Sequence, residues 1–271
     1  MRKSISFLTL ACLVATGALA VSDEDTEALA RGRQLNLEFR QGNLQVVDNL
    51  VAGLETAVAR SPDNADLWGA LGNAYMSQQG SMYQAQKDPG ALIAVGQRAQ
   101  DAYGRALALD KNNALLLASH GMAGMSISTL KQDGPGLMAA VEEMNAAVRE
   151  APNSTPVRLT RGFTTIHLPL GVRDTAAVTE DLKFVMDTAP GGRPEDVMHV
   201  LLGDVYAETG ALDAARREYE QVTGASRFAA EQSRSRLEDL KKGAVSPASI
   251  GLVRAQTGYG CVTCHEPGSD N

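Results

Sequence analysis

Close to the C-terminus of this 271-residue chain stands Cys261-Val262-Thr263-Cys264-His265, two thiols three positions apart with an imidazole directly after the second. Thiols at that spacing can each form a thioether to one of the two vinyl groups of a haem, while the adjacent imidazole ligates the iron. The motif reads as the attachment of one covalent haem c, with Cys261 and Cys264 holding the macrocycle and His265 as proximal iron ligand. A haem without thioethers must be held by a deep pocket. With them, a short tail can carry one.

The remaining cysteine supports that reading. Cys12 lies in a segment with the marks of a secretory signal: Arg2 and Lys3 at the start, a mostly apolar stretch from Ile5 to Val14, and Ala18-Leu19-Ala20 as a cleavage site. The apolar run is too short to span a bilayer. Residues 1–20 are therefore expected to be a signal peptide and no transmembrane span is expected. Cys12 fits a lipoprotein cysteine less well, because Thr9 stands where an apolar residue is expected. The mature chain would begin at Val21, keep only Cys261 and Cys264, and reach an oxidising compartment, periplasmic or extracellular, where such haems are attached.

The same pair could close a small disulfide, act as a redox dithiol or supply half of a metal site. A structural zinc needs four ligands, and beyond His265 the chain has only His120, His167 and His199. A thioredoxin-like dithiol opens a helix after a strand, whereas Gly258, Gly260 and the chain end flank this one. The disulfide stays open as the alternative, and with it a scaffold without haem.

Without residues 1–20, 251 residues remain, with 23 basic and 32 acidic side chains and a formal balance of minus nine. That length suits one large domain or a repeat array with a continuous core. The acidic balance argues against nucleic acid and anionic membrane as partners and favours a basic docking surface. Aromatic residues make up only 4%, and abundant alanine suits close helix packing better than a sheet.

Internal repetition points to the fold. Ala65-Asp66-Leu67-Trp68-Gly69-Ala70-Leu71-Gly72-Asn73-Ala74-Tyr75 and Met198-His199-Val200-Leu201-Leu202-Gly203-Asp204-Val205-Tyr206 both carry Leu-Gly followed three residues later by Tyr. The later copy continues through Gly210, Ala215 and Tyr219. This part resembles the tetratricopeptide repeat family, which implies an all-α, helical-hairpin solenoid with a protein-binding surface. Pro62-Asp63-Asn64-Ala65, Asp110-Lys111-Asn112-Asn113-Ala114 and Pro152-Asn153-Ser154 read as turns between repeats, and Gly191-Gly192-Arg193-Pro194 as a further connection. About five hairpins are expected from near Glu24, with a capping helix from Ala225 to Lys242 that stops at Gly243. The expected organisation is a signal peptide over 1–20, a repeat domain over 21–242, and a linker and short haem-binding tail over 243–271.

Two stretches exceed the repeat length. Met76 to Val95, with Gly80, Pro89 and Gly90, separates Tyr75 from the next helical pattern, and a smaller excess runs from Ser128 to Gly136. Both are expected as loops on one edge of the solenoid, where they would either build a binding surface or be tolerated as surface loops.

The tail, with Ser246-Pro247 starting a possible short helix through Ala255, is too small for a core of its own. Its motif resembles c-type cytochromes over the tail alone and does not extend to their fold. The haem must then pack on the repeats, on a partner or on another copy. The candidates for the sixth iron position are His120, aligned with the core position of Leu71; His167, before Leu168-Pro169 at a helix end; and His199, early in a repeat helix. Met76, Met82, Met122, Met125, Met144, Met186 and Met198 read rather as core filler. Arg158, Arg161 and Arg173 could form a basic spot near His167 that meets a haem propionate, or else surface ion pairs.

These readings converge on an exported cytochrome that carries electrons to a protein redox partner or presents its haem within an assembly. The alternatives are a scaffold with a C-terminal disulfide and a haem sensor or enzyme with an open iron site. A self-assembled oligomer or filament is a further variant.

Overall fold

The computed structural model describes residues 22–40, 45–169, 171–188 and 192–243. The expected signal peptide over 1–20, the expected short helix from Ser246-Pro247 through Ala255 and the Cys261–His265 motif lie outside the described residues. Among the described residues there are eleven helices and no strand. They are α1 (Asp23–Arg40), α2 (Val46–Arg60), α3 (Ala65–Gln84), α4 (Pro89–Leu109), α5 (Ala114–Lys131), α6 (Gly134–Glu150), α7 (Thr155–Thr165), α8 (Thr175–Thr188), α9 (Gly192–Glu208), α10 (Leu212–Glu220) and α11 (Arg227–Lys241). Consecutive helices pair as five hairpins, α1 with α2 through α9 with α10, and α11 packs on α9 and α10. First helices of neighbouring hairpins also touch, α1 with α3 and α5 with α7, which makes the array a solenoid.

Local sequence starts most of these helices. Asn64 accepts from the backbone N–H groups of Asp66 and Leu67 at 3.0 and 3.3 Å, and Asn113 accepts from Leu116 at 3.1 Å. Such side chains satisfy donors that a helix leaves unpaired in its first turn. Asp88 and Asp133 do the same for α4 and α6, each beside a proline in the first turn that needs no hydrogen-bond partner. The predicted turn residues Asn64, Asn113 and Ser154 are thus the last residues before α3, α5 and α7. The predicted connection at 191–194 is shorter, since Gly192 to Pro194 already belong to α9.

Packing between the helices of a hairpin depends on glycine. A Cβ at Gly72 would stand 2.6 Å from the Tyr103 ring, closer than atoms can approach, and Gly203 meets Tyr219 in the same way. Each ring then reaches the residue after its glycine: Tyr103 Oη donates to Asn73 Oδ1 at 2.7 Å, Tyr219 Oη to Asp204 Oδ1 at 2.8 Å. In the third hairpin Gly121 meets Met144 and the Ala140 carbonyl. One core runs through Leu50, Leu54, Leu67, Leu71, Val95 and Tyr103, and another through Ile166, Leu182, Val197, Leu201 and Val205.

The two expected loops are helix instead. The chain turns only at Ala85–Asp88 between α3 and α4, and at Gln132–Asp133 between α5 and α6. The excess residues lengthen α3 and α4 to 20 and 21 residues. The buried Gln79 holds the extension together: its Nε2 donates to the Leu92 carbonyl at 2.9 Å, and its Oε1 accepts from Ser126 Oγ at 2.8 Å. That amide links α3, α4 and α5, and tertiary bonding of this kind overrides the weak helix propensity of Gly80.

Buried aspartates lock the turns. Asp25 in α1 accepts from Arg60 at 3.3 Å, Ser61 at 2.9 Å and Asn64 at 3.2 Å, fixing the turn between α2 and α3. Asp196 in α9 accepts from Thr223, Gly224 and Ser226 ahead of α11. Each stands seven residues before the glycine that packs on its hairpin partner, Gly32 and Gly203. At the far end Arg236 of α11 pairs with Asp204 at 2.7 Å, both nearly inaccessible to solvent.

Candidate functional site

Cys261, Cys264 and His265 lie outside the described residues. The solenoid's contribution to a site is therefore read from its three histidines, its arginines and its inner cleft.

His120 sits in the middle of α5, and its side chain keeps 23% of its exposure. Its Nδ1 is 2.7 Å from Oε2 of Glu143 on the facing α6. An ionised carboxylate only accepts, so in that contact Nδ1 donates, which leaves Nε2 as the ring's second polar atom. That nitrogen takes no further hydrogen bond among the described residues and faces α4 at Gly104, where a Cβ would stand 3.9 Å from Nε2 and Cδ2. The expectation of a core contact at the Leu71-equivalent position holds only for part of the ring.

His199 is held between two carboxylates. Its Nδ1 is 2.9 Å from Glu218 Oε2 on α10, and its Nε2 is 3.8 Å from Glu195 Oε1, one turn earlier in α9. His167 lies in the turn after α7, partly buried and engaged with neighbouring groups. The three histidines thus belong to separate hairpins and do not converge. Among the described residues, no group of three or more His, Cys, Asp or Glu side chains could hold a metal ion.

All seven methionines assigned to packing lie in or against the hydrophobic clusters: Met76 and Met82 with the first, Met186 and Met198 with the second, and Met122, Met125 and Met144 around Leu168. Met138 on α6 is exposed.

The expected basic spot is not available to a propionate, because its arginines are already used. Arg158 and Arg161 converge on the fully buried Asp181 of α8, with contacts of 3.1, 2.7 and 2.8 Å. Arg158 also donates to the Pro152 carbonyl and stacks over Phe184, 4.6 Å from the ring centre. Arg173 is buried against Glu208 and the Ile166 carbonyl, and burial lowers its pKa from the usual arginine value. Charges buried this way act as internal ties between α7, α8 and α9.

The array also shows a site that sequence reasoning missed. On the face where α1, α3 and α5 meet, a cleft of about 270 Å³ is lined by Leu29, Leu50, Leu54, Leu115 and Leu116, with Arg33, Asp66, Asn73 and Asn113 among its polar groups. Gly32 and Gly69 leave it open. Its signal in the sequence is small residues on the first helices, one turn apart at Gly69 and Asn73. No helix among the described residues is long and apolar enough to cross a membrane.

No protein-family model and no curated protein matches the chain. Among solved structures it is similar to a thermophilic TPR protein of Thermus thermophilus, with a TM-score of 0.56 and 16% sequence identity, over 78% of this chain and 97% of that one. At that identity the likeness establishes the fold, an all-helical array of tetratricopeptide-like hairpins, and that alone.

Proposed function

We propose that the protein is an exported monohaem c-type cytochrome built on a tetratricopeptide-like scaffold, which transfers single electrons or presents its haem within a periplasmic or extracellular redox assembly. The observation that carries this reading is Cys261-Val262-Thr263-Cys264-His265 in a chain whose one other cysteine lies in the signal segment. The donor set of two thiols and an imidazole at that spacing fits a covalent haem. When bound, the haem iron supplies a one-electron ferric–ferrous couple.

The scaffold's part is to choose the partner. Its cleft offers an apolar floor with Arg33, Asp66, Asn73 and Asn113 as polar groups, a combination suited to seating a segment of another protein. A basic partner suits the acidic mature chain.

The test is an absorption spectrum and a denaturing-gel haem stain of the mature protein, exported together with a c-type haem maturation system. The expected result is a c-type spectrum and haem that stays on the chain through denaturation. A colourless folded protein without free thiols would overturn the cytochrome and leave a disulfide-bearing interaction scaffold.

A further inference from the structure

We infer that the tips of the second and third hairpins together form a docking surface for an acidic, partly apolar segment of another protein. The inference goes beyond the cytochrome reading and stands whether or not the chain carries haem. Both tips fall in the two stretches that exceed the repeat length, Met76 to Val95 and Ser128 to Gly136.

Charge is nearly absent from this end of the two hairpins. Between Asp66 and Arg98 the charged residues are Lys87 and Asp88, and between Lys111 and Glu142 they are Lys131 and Asp133, His120 aside, in a chain that is 21% charged. Depletion of charge together with exposed aromatic and methionine side chains is the composition of an interface core. Tyr83 near the end of α3 and Met138 in α6 supply those side chains, 45% and 52% exposed. The two carboxylates are already engaged: Asp88 accepts from the Ala91 N–H at 3.2 Å and Asp133 from the Gly136 N–H at 3.1 Å, each at a helix N-terminus. Lys87 and Lys131 are exposed and form no ion pair among the described residues. The open charge at both tips is therefore positive, the reverse of the chain's overall balance.

The backbone carries an independent sign. Gln86 and Gln132 are the two non-glycine residues with positive φ among the described residues, at 52° and 57°. The Gln86 N–H donates to the Tyr83 carbonyl and the Lys87 N–H to the Met82 carbonyl, at 2.9 and 3.0 Å; Gln132 and Asp133 repeat the pattern on Thr129 and Ser128. The last hairpin closes α9 with the same pair of bonds, and there the left-handed residue is Gly210. Glycine takes this conformation without steric cost. Glutamine at both earlier tips instead puts an exposed amide there, with no side-chain hydrogen bond among the described residues. Strain that recurs without a packing role points to a use for the side chain. Gln79 ties α3 to α4 and α5 through Leu92 and Ser126, so both tips are presented from rigid elements. An acidic segment meets them by pairing with Lys87 and Lys131, hydrogen-bonding to the two amides and covering Tyr83 and Met138.

The experiment records backbone amide NMR spectra of the full mature protein with a short acetylated peptide in which glutamate alternates with leucine and alanine. Matched peptides carry glutamine or lysine in place of glutamate. The expected result is saturable shifts confined to residues 83–90 and 131–138 with the glutamate peptide, an affinity about fivefold lower or more with the glutamine peptide, and weakening with added salt. Lys87→Glu combined with Lys131→Glu should abolish the shifts and leave the circular dichroism unchanged. Gln86→Gly combined with Gln132→Gly should weaken binding about threefold or more without lowering the melting temperature, a split that a merely structural glutamine would not give. Shifts that are absent, that fall in the cleft of α1, α3 and α5 instead, or that the lysine peptide reproduces overturn the docking surface. Unchanged affinity in the lysine or the glycine pair overturns it as well.

Discussion

Gly72 and Gly203 show how much of this fold depends on one missing methyl group. The Cβ of Gly72→Ala would enter the Tyr103 ring, and small-to-large changes in a packed core typically cost about 1–3 kcal/mol. Urea denaturation should show that loss, and the double change Gly72→Ala with Tyr103→Leu should recover part of it. Asp181 is more exacting: it is fully buried beneath two guanidinium groups, so Asp181→Ala leaves Arg161 without its carboxylate and Arg158 with only the largely exposed Glu180. Removing one partner of a buried ion pair costs about 3–5 kcal/mol, and the melting temperature should fall accordingly. Asp25 sets a pH dependence. Burial alone would raise its pKa, but hydrogen bonds from Ser61, Asn64, Arg60 and Ser22 outweigh that and hold it below the ordinary 3.8. The native state thus favours the ionised form, and its contribution is complete above pH 3.8 and lost as pH falls through the lowered value. Asp25→Asn should be less stable than wild type at about pH 7, and the two denaturation midpoints should converge on acidification below that lowered value.

Helices were legible in the sequence wherever their signals were local. Asn64, Asn113 and Ser154 mark starts because a short polar side chain, or a proline just after it, acts within one turn. The Leu-Gly and Tyr spacing was legible for a related reason, since each glycine and ring recurs at the same place in its hairpin. The stretch from Met76 to Val95 was misread as a loop because Gly80, Pro89 and Gly90 look like breakers. In the fold Gly80 is buried inside α3, and Pro89 and Gly90 open α4. What decides the matter is the buried amide of Gln79, whose partners Leu92 and Ser126 lie on other helices. Gln79→Ala should remove both bonds of that amide and open a gap between α3, α4 and α5, with a loss of about 1–3 kcal/mol and faster amide exchange at the tips of α3 and α4. The candidate site was legible only by residue type. His120 and Glu143 are 23 positions apart in sequence, and their meeting depends on the register of α5 against α6. The arginines near His167 were visible as a charge cluster, but Asp181 and Glu208, which consume them, sit on α8 and α9.

At the scale of the whole molecule, the hairpins bury their cores against one another, and α11 closes the last through Arg236, Leu237 and Leu240. A chain ending at Gly243 should therefore keep the helical circular dichroism of the mature protein and a cooperative thermal transition, while giving no haem stain. Loss of helicity in that truncation would show instead that the tail is part of the core. In an array whose units touch only their neighbours, unfolding need not be uniform along the chain. Trp68, the one tryptophan of the chain, donates from Nε1 to the Pro62 carbonyl at 2.7 Å at the turn into α3. Indole emission from this protein is consequently a local signal that reports the second hairpin and its seam with the first. Where its transition separates from the circular dichroism of all eleven helices, the gap between the two curves measures how far the two ends of the solenoid melt independently.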